Sequence, residues 1–162
     1  PDRMMDQEFV LRFVAVCYYG PEKYDGVPDN YLNEAMEYLN AVNCIDEAVI
    51  EKQFERVMWA AENIMGRYAF RKLGMDPVRR PINKAIYEVW CWIFFHCEEK
   101  QLSVLIQKKQ DVYTEFQQLC QDSQFLAAIK SSDKRLFGQR FRMVGDIVRR
   151  ILSAEKIDST EF

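Results

Sequence analysis

One histidine, six glycines and five prolines leave this 162-residue chain short of the residues from which many catalytic sites and mobile loops are built. So few glycines leave no Gly-rich loop to cradle phosphates, and no nucleophile, base and orienting group stand in a recognisable set. The five cysteines (Cys17, Cys44, Cys91, Cys97 and Cys120) form no C-x-x-C pair. A structural zinc site therefore has no ligand framework, and reduced, buried thiols of a cytoplasmic protein are expected. His96 adjoins Cys97, but neighbouring helical residues diverge by about 100° and no third group orients the pair. No metal or cofactor is called for. The longest apolar run, 89–95, is far too short to cross a bilayer. Met4 and Met5 sit among Asp2, Arg3, Asp6 and Glu8, which is not the pattern of a signal peptide. Strand signals are almost absent, with 68–70 the only weak candidate.

What remains is a core-forming chain. It is 49% hydrophobic and 14% aromatic, ample for one domain of this length. Helical periodicity dominates. Phe9, Val10, Phe13, Val14 and Cys17 form a stripe that Gly20-Pro21 ends. A second helix from Pro28-Asp29 should bury Tyr31, Leu32, Ala35, Met36 and Leu39. Asp46 is placed to cap a third, which Gly66 closes, with Val49, Ile50, Phe54, Val57, Met58, Ala61, Ile64 and Met65 inward. Pro81 forbids helix, and Asn83 can cap the next one. That helix, 83–97, is apolar on nearly every face, the mark of a central buried element. A fifth covers 103–121 with a break near Lys108-Lys109. A short helix follows from Asp122, and a last one runs from 134 to 152. The fold class is all-α, an irregular bundle of six or seven helices around a central apolar helix. It forms a single domain over 1–153, with a frayed tail at 154–162.

Charge is unevenly placed. Residues 1–62 carry 13 acidic and 5 basic side chains, whereas 63–162 carry 12 and 17. The bases gather at 67–84 and 134–150. Arg71, Lys72, Arg79, Arg80 and Lys84 mark the first cluster, and Arg140, Arg142, Arg149 and Arg150 the second. One reading is a phosphate-neutralising surface for DNA or a partner. The other is solvated faces with arginines paired to acids such as Glu88 and Asp146, and a sequence pI near 5.3 favours it. Arg12, between Leu11 and Phe13 and four residues after Glu8, is expected to pair with a carboxylate as a structural residue. Asn83 reads as a cap. Trp59, Trp90 and Trp92 have apolar neighbours and read as core or domain-interface residues.

The order of several short motifs resembles a known family. Arg3 to Ala15 (RMMDQEFVLRFVA), Tyr24-Asp25-Gly26 with Tyr31-Leu32-Asn33, and Phe70-Arg71-Lys72 stand in order. Arg80-Pro81-Ile82-Asn83-Lys84-Ala85-Ile86-Tyr87-Glu88 and Arg140-Phe141 follow. Together they are similar to the helical C-terminal region of GmrS-type bacterial proteins, whose N-terminal part is a ParB/sulfiredoxin-like, nucleotide-dependent nuclease domain related to restriction and phage defence. The resemblance spans about residues 3 to 152. It implies a non-catalytic accessory domain that positions the preceding nuclease domain and contacts DNA. The family's Asp-Gly-Gln-Gln-Arg-type motif has no counterpart here; the only Gln-Gln pair is Gln117-Gln118. A structural docking or oligomerisation module without nucleic-acid contact is the alternative.

Overall fold

The computed structural model describes residues 2–41 and 45–158, with side chains from Met4 onward. Cys44 and residues 159–162 of the expected tail lie outside the described residues. The described chain forms eight α-helices and no strand: α1 Asp2–Val14, α2 Pro28–Ala41, α3 Glu47–Met65, α4 Lys84–His96, α5 Glu99–Gln107, α6 Lys109–Leu119, α7 Ser123–Lys130 and α8 Lys134–Ala154. A π-helical turn, Ala15–Tyr19, extends α1, and short 3-10 turns occupy Pro21–Lys23 and Gly66–Tyr68.

Local chemistry explains most of the boundaries. The side chains of Asp46, Asn83, Asp122 and Asp133 each accept a first-turn N–H of the helix that follows, satisfying donors that have no intrahelical partner. Gly66 ends α3 at φ 56°, a conformation that L side chains rarely adopt. Glu98 and Gln101 form a reciprocal capping box, in which the Glu98 N–H donates to Gln101 Oε1 at 2.7 Å. That box starts α5 at Glu99, earlier than the apolar pattern from 103 suggests. The expected long helix breaks at Lys108 (φ −100°, ψ 22°). The bundle therefore has eight helices rather than six or seven.

Helix α4 is the centre, as its composition requires. It touches α1, α3, α7, α8 and the π turn, and Val89, Trp90, Cys91, Ile93 and Phe94 are buried. One apolar cluster runs through the molecule from Phe13 to Leu152. Arg56 of α3 closes the far end of α4, donating to the carbonyls of Phe94 and Cys97 and pairing with Glu99, a favourable place for a cation.

Two residues expected to be buried are not: Met36 and Val49 are 48% and 50% exposed. Each stands at the margin of an apolar stripe wider than the face its helix buries. Trp59, expected in the core or at a domain interface, is 52% exposed and so lies outside the core. The chain after Ala154 is also tied down as far as Asp158. Ile157 N–H donates to Leu152 O at 2.9 Å, and Gln101 Nε2 donates to Asp158 O at 2.7 Å. No helix of the described residues is long and apolar enough to cross a membrane.

Candidate functional site

The most unusual polar feature is a carboxylate in the apolar helix. Glu88 is the only charged residue of 85–95, and its side chain is 4% exposed. A buried carboxylate is tolerable only when paired and hydrogen-bonded. Two helices distant in sequence supply the partners. Arg12 Nη1 of α1 donates to Glu88 Oε1 at 2.5 Å, and Arg140 Nη2 of α8 donates to Glu88 Oε2 at 2.8 Å. Arg12 also donates through Nε and Nη2 to Glu8 Oε1, one turn earlier on α1. Lys84, four residues before Glu88, joins the same Glu8 oxygen at 2.7 Å. The first, central and last helices are thus joined by alternating charges.

The two arginines respond differently to sharing one carboxylate. Burial lowers the pKa of Arg140, and Glu88 only partly offsets it. Burial opposes charge on Arg12 as well, but Glu88 and Glu8 together outweigh it and hold its pKa above the ordinary value. Arg12 has two carboxylates and Arg140 has one. The remaining Arg140 contacts are long, with Nη1 at 3.4 Å from Ala128 O and 3.5 Å from Ser131 O. Its Nε is buried without a hydrogen-bond partner among the described residues. The guanidinium lies 4.4 Å from the centre of the Phe137 ring.

A cavity of about 200 Å³ opens beside this lattice, bounded by α1, α2, α4, α7 and α8. Arg12, Arg140 and Glu88 form its floor, and Lys84 and Lys130 are exposed among its lining residues. Tyr24, Tyr31 and Phe137 make an aromatic wall, with the Tyr24 and Phe137 rings stacked at 4.0 Å. Both phenols are engaged. Tyr24 donates to Ser132 O at 2.7 Å, and the Tyr31 hydroxyl lies 2.9 Å from Gly20 O and 3.0 Å from Ala15 O.

The basic loop is a separate structure, closed on itself. An isolated antiparallel bridge pairs Arg71 with Ile82, and Asn83 N–H donates to Phe70 O at 2.9 Å. Phe70 sits at φ 62°, uncommon for a bulky residue. Burial of its ring against Tyr87 at 4.9 Å holds it there. Within the loop, Arg71 donates to Arg80 O at 2.5 Å. Arg80 pairs with Asp76 at 3.0 Å and lies against Gly74, where a Cβ would collide with its guanidinium. Arg79 reaches Arg67 O at 3.0 Å from an exposed position. Lys72 is half-buried. Gln117 of α6 and Gln121, in the turn after it, donate to the carbonyls of Gly74 and Leu73 and anchor the loop to the bundle.

The second basic cluster divides by helix face. Arg140 is buried on Glu88, so it is an internal residue and does not belong to an exposed basic face. Arg142 is exposed. Arg149 pairs with Asp146 one turn earlier, and Arg150 with Glu115 of α6 at 2.8 Å. Asn83 caps α4, its Oδ1 accepting Ile86 N–H at 3.0 Å. The sequence reading gave Glu88 no role beyond partnering arginines, placed Tyr31 in the core and Tyr24 in a motif without a site role, and passed over Lys130. A lone carboxylate in the most apolar helix, with Lys84 one turn before it, was the available signal.

The four described cysteines are buried thiols. Burial pushes Cys17 and Cys91 well above the ordinary thiol range and Cys120 up to about 11. All three are protonated at neutral pH and weak as nucleophiles. No group of three His, Cys, Asp or Glu among the described residues could hold a metal ion.

Fold and site define an all-α bundle whose first, central and last helices share a buried arginine–glutamate–arginine bridge. Compared with known proteins, the chain matches no family model, no curated protein and no solved structure.

Proposed function

We propose that this chain is a non-catalytic helical accessory domain of a GmrS-type protein in bacterial phage defence, one that positions a ParB-like nuclease domain in the cytoplasm. The observation that carries the reading is the role of the residues behind the resemblance. Arg12, Asn83, Glu88 and Arg140 join or cap helices, and Arg71 and Arg80 brace the loop from within. Residues so engaged suit a scaffold better than a reaction centre. DNA contact in this reading falls to Lys72, Arg79 and Arg142, since Arg149, Arg150, Lys84 and Arg80 each have a carboxylate partner.

A salt-titrated duplex-binding assay tests the DNA part. Affinity that falls steeply with salt supports it, and no binding at low salt removes it. The residues preceding Pro1 in the parent protein test the family. An Asp-Gly-Gln-Gln-Arg motif is expected there, and its absence overturns the assignment.

A docking module without nucleic-acid contact is the second reading, favoured by an apolar groove between α1 and α2. Met4, Val10, Leu11, Val14, Met36 and Leu39 line it, and Met4 is 78% exposed. Contiguous exposed apolar surface of this kind marks interaction sites.

A further inference from the structure

We propose that the cavity beside Glu88 binds a phosphate group, held by Arg12 and Arg140 from its floor and by Lys84 and Lys130 closer to solvent. Charge is the first argument. Four cationic side chains belong to this site, and two carboxylates face them, Glu88 and Glu8. Both oxygens of Glu88 are covered, Oε1 by Arg12 and Oε2 by Arg140. That carboxylate therefore orients the two guanidinium groups rather than presenting free negative charge to a ligand. Two positive charges remain in excess beside a low-dielectric core. A phosphomonoester carries about −1.5 to −2 at neutral pH, which balances them.

Donor geometry is the second argument. Arg140 is 6% exposed, yet it makes one short ion pair, two long carbonyl contacts and no bond from Nε. A buried guanidinium held this loosely is unusual, and its planar fork suits phosphate oxygens. Arg12 has three of its five N–H groups in hydrogen bonds to the two carboxylates. Ser131, in the turn that follows Lys130, also lines the cavity. Its Oγ already accepts the Asp133 N–H at 3.0 Å, so the hydroxyl proton remains available to donate. Asp133 itself faces α8, accepting Leu136 N–H, and is not among the lining residues.

Size is the third. At about 200 Å³ the cavity lies below the roughly 300–1,000 Å³ of sites that enclose drug-sized ligands. It suits one phosphate with a small attached group lying against Tyr24 and Phe137. A duplex cannot enter, so this inference is independent of the DNA reading above.

Calorimetric titration of the intact chain with inorganic phosphate, at ionic strength held constant with sodium chloride, tests it. Saturable binding is expected, and Lys130→Glu, an exposed change, should weaken it about ten-fold or more. Heat no different from the chloride control overturns the proposal, as does a Lys130→Glu chain that binds like the parent. Arg140→Met should abolish binding, and because that change also perturbs the core, Lys130→Glu is the decisive variant. Adenosine monophosphate and adenosine identify the source of the phosphate. A monophosphate that binds more tightly than inorganic phosphate points to a nucleotide-type ester, and equal affinity points to the free anion. Adenosine binding as well as its monophosphate sinks the proposal.

Discussion

The bridge around Glu88 and the loop 71–82 both depend on arginine, but the guanidinium groups do different work in the two places. Around Glu88 they connect helices 76 and 52 residues apart, out of water. In the loop they span four to twelve residues along the chain, and those of Arg79 and Arg80 stay near solvent. A buried pair carries a large desolvation cost, so losing one partner leaves an uncompensated charge in the core. An exposed pair is replaced by water at little cost. The same side chain is therefore indispensable in one region and adjustable in the other.

The most severe way to break this contrast is Glu88→Ala. It strands two arginines and should destabilise the domain by about 3–5 kcal/mol, read as a shift in the urea midpoint. Replacing the whole bridge, with Arg12→Met, Glu88→Leu and Arg140→Met together, should recover most of that loss. A Glu88→Ala chain as stable as the parent would mean that the bridge is decorative.

Asn83→Ala sits between the two regions, since the residue closes the loop and caps α4. Loss of its side-chain acceptor should cost about 1 kcal/mol, measured by the same denaturation. No change there would show that the α4 N-terminus needs no cap.

Acid sharpens the comparison at the edge of the bridge. The hydrogen bond from Lys84 holds the Glu8 carboxyl below its ordinary pKa, with Arg12 adding to the effect against partial burial. The folded chain therefore releases this proton at lower pH than the unfolded chain does. Its stabilising contribution is complete above the ordinary carboxylate value and fades as the pH falls through the depressed folded one. Glu8→Gln should flatten that acid limb in a pH series of urea midpoints. An unchanged slope would remove Glu8 from the account.

The smallest effect is expected at Arg79→Ala in the loop, which should leave the urea midpoint where it is. If the domain grips DNA there, the same change lowers the salt slope of binding by roughly one unit. Arg80→Ala should disturb the loop more, because Arg80 lies over Gly74 and holds Asp76. Unfolding on Arg79→Ala would place that residue with the bridge instead.

The sequence by itself determined the all-helical class, the central place of α4, the caps at Asp46 and Asn83 and a helix start at Asp122. Each depends on spacing within a few residues, where helical geometry leaves little choice. It also carried the need for a partner at Glu88 and the pairing of Arg12 with Glu8, one turn apart. The start of α5, placed at 103 by the apolar pattern, is instead set at Glu99 by the Glu98–Gln101 capping box. Tertiary structure decided which edge of a broad apolar stripe is covered, leaving Met36, Val49 and Trp59 in solvent. It also decided that Arg140 turns inward to Glu88 while Arg142, two residues on, faces solvent. Helical period places those two side chains on different faces, but it does not say which face will meet a carboxylate fifty-two residues earlier in the chain. That is set by the docking of α8 on α4, which brings together charges that no local pattern relates.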